Sequence, residues 1–350
     1  MFIVAIQTGI GILTLPTDVG EHAGHDGWIT VIIGGVLCLL ASIIIIALCK
    51  RFNGQSVLDI NRMIFGKYVS YLLNIFLLLY LLFAVLSNLC FFVSTVGVWF
   101  FRETPLWILS LYTMIPSMVL AYKGLKGVCR FNFLLFVTVP VLLSMFVLTL
   151  KDFRMTNLMP IGIHGAENIM KSLVNVPYAF MGFETLLFIF PFIMEKQHIN
   201  KHTIIGAAVL TLIYTYFVMT SIAVFGEDLL SKRIIAFVGI ARMIEVPVIE
   251  RVDLYYLAIW LPALLLAVNA YLFLAYNTTK KVFKVKSKRI PFTIIIIIVI
   301  VLTSIFGEDS YTVYQMTRYA GYALFFVGVP YPVLLLSIAL ISRKGAKNKA

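Results

Sequence analysis

The chain has 350 residues, of which 61% are hydrophobic and 13% are charged, and its formal net charge is +12 at pH 7. An ordinary soluble domain is about 45–50% apolar and about 25% charged. The basic residues lie in short clusters between apolar runs, as topology signals do, rather than on one continuous nucleic-acid-binding surface. The composition therefore excludes an ordinary soluble domain and predicts an all-α integral membrane protein.

Ten apolar runs approach the length of about 20 helical residues that a bilayer core requires. The first run is short, because Met1 to Leu15 would extend only about 22 Å as a helix. We therefore expect a few further residues before Met1 in the natural protein. The predicted spans are 1–17, 28–49, 71–97, 105–122, 131–150, 172–194, 203–225, 254–277, 290–306 and 318–341.

The basic residues are distributed unequally between the two sides of this predicted bundle. Of the 28 Lys and Arg residues, 19 lie after even-numbered spans or in the C-terminal tail, and 9 lie after odd-numbered spans. Thirteen of the 16 acidic residues lie on the odd-numbered side. Since Lys and Arg accumulate in the cytoplasm, both termini are predicted to be cytoplasmic, with loops 18–27 and 226–253 outside.

Glycines interrupt two of the predicted spans, the first around Gly9 and Gly11 and the sixth around Gly182. These spans open two segments of five spans each, 1–150 and 172–341, within a single transmembrane domain 1–350. An odd number of spans per segment places the second segment upside down relative to the first. The pattern predicts a 5+5 inverted repeat of about ten transmembrane helices with broken helices 1 and 6, as in many transporters.

The two interruptions predict a binding site for a small solute. Unwound backbone at the bilayer midplane survives only where it lines a protein or water cavity, and its free N–H groups suit a carboxylate. The alternative is that these glycines only permit close helix packing. The predicted ligand-binding residues are Thr8, Gly9, Ile10, Gly11, Ile12, Phe180, Gly182, Phe183 and Glu184.

Glu184 is the one carboxylate deep within a predicted span. A charge at that depth is expensive, so the side chain should face a cavity, have a partner or carry a proton. Glu184 is therefore a candidate proton site, and the alternative is a neutral group that only joins helices by hydrogen bonds. Asn88, Asn269 and Tyr214 are further polar residues within spans, and we expect them mainly to hold helices together.

Several motifs in this sequence match those of a known family. The Gly9–Leu13 segment with Pro16 and the Phe180–Glu184 segment resemble the amino acid–polyamine–organocation transporter superfamily. Longer segments are similar to the permease-like B subunit of nutrient germinant receptors of endospore-forming bacteria, and this resemblance runs in order from the first span to the tenth. These segments are Leu13-Thr14-Leu15-Pro16, Asp26-Gly27-Trp28-Ile29-Thr30, Val248-Ile249-Glu250-Arg251-Val252-Asp253 and Lys280-Lys281-Val282-Phe283.

The resemblance implies a LeuT-like fold, a location in the spore inner membrane and A- and C-type partner subunits. It also implies a nutrient ligand, often an amino acid, whose binding signals germination. A proton-coupled amino-acid transporter on the same fold remains the alternative function, because a fold does not fix a function.

Enzyme and metal motifs are weak in this sequence. No nucleotide loop, catalytic triad or metalloprotease motif stands out, so we predict neither an enzyme nor a cofactor. His22 and His25 share one predicted outer loop, but two histidines without a third ligand do not predict a metal site. The long loop 226–253 contains an amphipathic stretch, Ile234 to Val246, that suits either an outer gate helix or a partner contact.

Overall fold

The computed structural model describes residues 2–9, 11–193, 195–233, 236–244, 251–284 and 289–345. Every regular element among these residues is helical, and short 3-10 turns connect several of the α-helices. The α-helices are α1 Phe2–Gln7, α2 Gly11–Ala23, α3 Gly27–Arg51, α4 Val57–Trp99, α5 Leu106–Tyr122, α6 Gly124–Phe136, α7 Thr138–Leu148, α8 Gly165–Ser172, α9 Leu186–Ile189, α10 Ile199–Leu230, α11 Ala236–Met243, α12 Val252–Phe283, α13 Arg289–Phe306, α14 Ser310–Gly328 and α15 Pro330–Ile341.

All ten predicted spans correspond to helical segments. Six segments of the described chain are long and apolar enough to cross a bilayer. The first of these, Gly11–Arg51, contains both α2 and α3, so it accounts for two spans. Three shorter apolar helices supply the fourth, sixth and ninth spans: Leu106–Tyr122, Phe183–Phe192 and Thr293–Phe306.

The core forms where helices from the two halves of the chain pack against each other. The most extensive contacts join α4 to α12 and α3 to α10. These are the third span with the eighth and the second with the seventh, which are the corresponding spans of the two predicted five-span segments. In the most apolar 18-residue stretches of α4 and α12, 72% of the residues are buried.

The first span ends later than predicted. The predicted end at residue 17 directly follows Pro16, and proline removes a backbone donor and usually ends a helix. Pro16 instead lies inside α2, which continues to Ala23. The first span therefore comprises α1 and α2, with residues 8–10 between them, and the reason given above for calling it short no longer holds.

Two predicted loops are partly helical. The basic segment 123–130 was predicted to be a loop, but α6 begins at Gly124, which has a φ of +78°. A single residue, Lys123, therefore separates α5 from α6. The amphipathic stretch in loop 226–253 forms the short helix α11, while residues 234, 235 and 245–250 of that loop lie outside the described residues.

Candidate solute-binding site

The first span is interrupted between Gln7 and Gly11, and we call its described residues, Thr8 and Gly9, the first break. The Thr8 amide donates to the Val4 carbonyl over 3.0 Å, so the helical hydrogen bonding of α1 continues as far as Thr8. Gly9 faces α12, where an added Cβ would lie 3.7 Å from the Ala263 carbonyl oxygen. Ile10 lies outside the described residues.

The sixth span is interrupted at residues 179–182, which we call the second break. A 3-10 turn precedes it at Val176–Tyr178, and another follows at Phe183–Thr185. Gly182 has a φ of +129°, a conformation that residues with a side chain rarely adopt. The local sequence thus explains the break, because a proline at position 177 and a glycine at position 182 both disfavour a regular helix.

The two breaks contact each other directly. The Gln7 side-chain amide donates to the Phe180 carbonyl over 2.9 Å. A Cβ added to Gly11 would lie only 2.2 Å from the Ala179 Cα atom. The Tyr214 hydroxyl of α10 hydrogen-bonds to the Ala179 carbonyl at 2.9 Å and also contacts the Gln7 carbonyl, so one side chain contacts both breaks. These polar contacts satisfy backbone groups that lipid could not.

Glu184 follows the second break and is fully buried. One carboxylate oxygen accepts a hydrogen bond from the Gly182 amide at 2.9 Å. The other oxygen accepts from the Tyr80 hydroxyl at 2.8 Å and from the Tyr271 hydroxyl. Tyr80 belongs to α4 and Tyr271 to α12, so this carboxyl group connects the second break to the two most buried helices.

A cavity of about 260 Å³ reaches the breaks from one side. Its wall includes Gln7 of α1, Cys38 and Ser42 of α3, and Phe183 after the second break. Its other end lies near Glu195 and the start of α10. Gln7 therefore contacts both the second break and a space large enough for a small solute.

A polar network around Asp18 lies on another side of the breaks. The Tyr314 hydroxyl of α14 donates to the Asp18 carboxylate of α2 at 2.8 Å. The Asn175 amide donates to the Asp18 carbonyl at 3.0 Å and accepts from Arg318 at 3.3 Å. The space among these residues is about 10 Å³, which is room for roughly one water molecule.

A family model described as "Spore germination protein" matches residues 1–312. The chain belongs to the spore germination protein family. The matched range includes both breaks and the residues that contact Glu184. Membership of the spore germination protein family indicates a permease-like role in germination.

Curated relatives of this spore germination protein cover nearly the whole chain. It is 28% identical to spore germination protein GerQB of Bacillus cereus, over 95% of this chain and 92% of that protein. It is 24% identical to spore germination protein YndE of Bacillus subtilis (strain 168), over 99% of this chain and 96% of that protein. The predicted family is therefore confirmed.

The fold is also that of a solved structure. The crystal structure of MhsT in complex with L-phenylalanine superposes with a TM-score of 0.64, at 13% sequence identity, over 99% of this chain and 96% of that one. MhsT is a LeuT-fold transporter, so the predicted LeuT-like fold with broken helices 1 and 6 is confirmed. At this level of identity the likeness concerns the fold alone.

The structure buries every predicted site residue that it describes, on or beside the two breaks: Thr8, Gly9, Gly11, Ile12, Phe180, Gly182, Phe183 and Glu184. Sequence reasoning missed Gln7, Tyr80 and Tyr271, although they make the polar contacts of the breaks. Gln7 carried a signal, because an uncharged amide in an apolar run needs a partner. Tyr80 and Tyr271 carried none, since both lie in long spans rich in aromatic residues.

Proposed function

We propose that this protein is a germinant receptor subunit that binds a small nutrient of the amino-acid class between the first and second breaks. The observation that carries the proposal is the position of the Gln7 amide. It bonds to the second break and also lines the 260 Å³ cavity. A solute entering that cavity would compete for the amide and so act on both broken spans at once.

An amino acid suits the groups around the breaks. Helix α2 begins at Gly11, directly after the first break, so its first N–H groups lack partners within the helix. The positive end of the helix dipole favours a carboxylate there. The cavity volume lies just below the range of about 300–1,000 Å³ typical of drug-sized ligands, as a smaller solute requires. The solved complex of MhsT with L-phenylalanine supports the same ligand class.

Signalling follows if the nutrient changes the balance between two conformations. In the structure a cavity of about 260 Å³ lies beside Gln7, whereas the space beside Asp18 is only about 10 Å³. A nutrient that binds better to the opposite arrangement shifts the equilibrium by its difference in affinity. The proposal includes A- and C-type subunits that respond to this shift. It places the protein in the spore inner membrane with both termini in the cytoplasm, and residues 1–150 and 172–341 form its inverted halves.

A proton-coupled amino-acid transporter is the second candidate function. It is favoured by the buried carboxyl group of Glu184, which two tyrosine hydroxyls contact beside the breaks. A carboxyl group in such a place can exchange a proton when its surroundings rearrange. Neither function includes a covalent step, so the proposal assigns no catalytic residue.

The binding site is tested with two variants on one helix. Ala207 lines the cavity, whereas the next residue, Ala208, is exposed on the outside of α10. The purified full chain in nanodiscs is titrated with each labelled L-amino acid in turn, and the amino acid that binds is then used for both variants. We expect Ala207→Phe to weaken binding at least tenfold and Ala208→Phe to leave it unchanged. Equal binding by both variants would place the site elsewhere.

The two functions are separated by transport. The wild-type protein in sealed vesicles is given the same labelled amino acid with and without a pH gradient. A receptor subunit shows binding but no accumulation, whereas a coupled transporter accumulates the amino acid only with the gradient. Robust gradient-driven uptake by this chain alone would overturn the receptor assignment and leave the binding site intact.

A further inference from the structure

Three side chains of the kind that bind metal ions meet away from both breaks. His25 belongs to the 3-10 turn between α2 and α3, His164 immediately precedes α8, and Glu227 lies in α10 just after the bend at Gly226. One donor atom from each residue lies within 4.8 Å of the other two. The three residues are 63 to 202 positions apart in the chain, so the fold alone brings them together.

The three donor atoms form a nearly equilateral triangle. His25 Nδ1 lies 3.2 Å from Glu227 Oε2, His164 Nε2 lies 3.1 Å from the same oxygen, and the two nitrogens are 3.3 Å apart. Zinc binds histidine nitrogen and carboxylate oxygen at about 2.0–2.2 Å in tetrahedral sites. Two ligands at that distance and at the tetrahedral angle are separated by about 3.3–3.6 Å. The triangle is therefore close to one face of a zinc tetrahedron before any adjustment.

The tautomer of His25 suits a metal ligand. Its Nε2 atom lies 2.8 Å from the Pro160 carbonyl oxygen, which can only accept a hydrogen bond. Neutral His25 must therefore carry its proton on Nε2, which leaves the lone pair of Nδ1 directed at the triangle. Histidines that bind metal ions almost always donate their other N–H group to a carbonyl or a carboxylate in this way.

Two residues next to His25 shape the cluster: Asp26 fixes the loop that carries His164, and Gly24 leaves space beside the donor atoms. The buried Asp26 carboxylate accepts hydrogen bonds from the Gly162 amide at 2.9 Å and the His164 amide at 3.3 Å, which fixes the loop that carries His164. Gly24 has a φ of +51°, and a Cβ there would lie 2.4 Å from His164 Nε2 and 2.6 Å from the Glu227 carboxyl group. A side chain at position 24 would thus occupy the space beside the donor atoms.

We propose that His25, His164 and Glu227 bind a divalent transition metal ion of the zinc type, with water as the fourth ligand. Borderline-soft ions of this type prefer imidazole nitrogen, and three protein ligands with one open position are a recurrent zinc arrangement. The bound ion joins the α2–α3 turn, the segment before α8 and the end of α10. It therefore stabilises the contacts among these three segments, and this role is independent of the proposed nutrient site.

The same contacts could exist without a metal ion. In that case His164 carries a proton on Nε2 and donates it to Glu227, whose side chain is 43% exposed. Such a cluster would bind Zn²⁺ no better than any surface pair of histidines does. The two cases therefore differ in affinity and in coordination geometry, and both can be measured on the purified protein.

The test uses the full chain in detergent, freed of metal ions with a chelator and titrated with Zn²⁺. We expect one tight equivalent, and His25→Ala or His164→Ala should weaken it at least 100-fold, which exceeds the roughly 10–100-fold cost of losing an outer-shell partner. Two controls should keep their zinc. His22→Ala removes an exposed histidine in the last turn of α2, and the double variant His198→Ala/His202→Ala removes the histidine pair at the other end of α10.

A second measurement does not depend on the variants folding. Co²⁺ added to the metal-free wild-type protein should give the intense visible absorption of a tetrahedral site, and Zn²⁺ should remove it. Zn²⁺ should also raise the thermal unfolding midpoint of the wild type, because it binds only the folded arrangement. The proposal is overturned if Co²⁺ shows only octahedral absorption, or if the wild type binds Zn²⁺ no more tightly than the His25→Ala/His164→Ala double variant.

Discussion

Gly11 and Ala179 pack backbone against backbone, so closely that a Cβ at position 11 would lie 2.2 Å from the Ala179 Cα atom. Gly11 begins α2 after the first break, and Ala179 begins the second break. No side-chain movement can relieve such an overlap, because the nearest atoms belong to the backbone. The close approach of the two broken spans therefore depends on a glycine at this position.

The first prediction compares two glycines of α2. Gly11→Ala should destabilise the protein by about 1–3 kcal/mol, the usual cost of overpacking, because the two breaks must separate. Gly20→Ala is the control, since its Cβ would meet Leu230 at an ordinary 3.5 Å and alanine favours a helix by about 1 kcal/mol. Thermal unfolding of the two purified variants measures the difference. A Gly11→Ala protein as stable as Gly20→Ala would mean that the breaks do not pack as described.

The second prediction concerns Glu184. Glu184→Gln keeps an acceptor for the Gly182 amide and lets the two tyrosine hydroxyls reorient, so this variant should fold. Glu184→Ala leaves the buried Gly182 donor without a partner, at a cost of about 1–3 kcal/mol. If Glu184 exchanges a proton, Glu184→Gln should flatten the pH dependence of amino-acid binding. Binding that varies with pH as strongly in Glu184→Gln as in the wild type would assign Glu184 a purely structural role.

The third prediction concerns the start of α14. The Asp309 carboxylate accepts hydrogen bonds from the Thr312 hydroxyl and from the Tyr311 and Thr312 amides, and these contacts lower its pKa below 3.8. A lowered folded-state pKa adds stability above pH 3.8, and this stability is lost as the pH falls through the folded value. The protection of the first amides of α14, expressed relative to the intrinsic exchange rate at each pH, should therefore fall on acidification.

Two variants separate the helix cap from its charge. Asp309→Asn keeps a good capping side chain but should remove the acid dependence of hydrogen exchange. Glu308→Gln removes the neighbouring negative charge and should leave that dependence unchanged. The assignment of Asp309 as the cap would be wrong if Glu308→Gln, rather than Asp309→Asn, abolished the acid dependence.

The fourth prediction concerns orientation in the membrane. Asp228 and Lys284 are both exposed, and they lie at opposite ends of the bundle in the predicted topology. A cysteine replacing Asp228 in a cysteine-free background should react with an impermeant maleimide added from outside. A cysteine replacing Lys284 should react only after the membrane is opened. The reverse pattern would invert the proposed topology, and reaction of both residues from outside would show that the spans are wrongly counted.

The sequence predicted the helices well because long apolar runs have few other stable arrangements in a bilayer. It predicted helix ends less well. Pro16 marks a stop in most soluble helices but lies within α2, where the surrounding helices can satisfy the freed backbone group. The basic residues of segment 123–130 resembled a loop, although α6 includes most of them.

The breaks were predictable from glycine, whereas their partners were not. Gly9, Gly11 and Gly182 indicated where the helices would be interrupted, since a broken span has a local cause. The contact of His25 with His164 and Glu227 has no such cause. It depends on the relative placement of three segments that are distant in the chain, and a single sequence carries no direct signal of that placement.

The pairing of α4 with α12 has a consequence for biosynthesis. About 150 residues separate the end of one helix from the start of the other. At a translation rate of about 5–20 residues per second, α4 is synthesised on the order of ten seconds before α12. During that interval Tyr80 and other side chains of the future core face lipid or the insertion machinery. The availability of an insertase that shelters the early helices should therefore limit the yield of this protein more than the stability of the folded protein does.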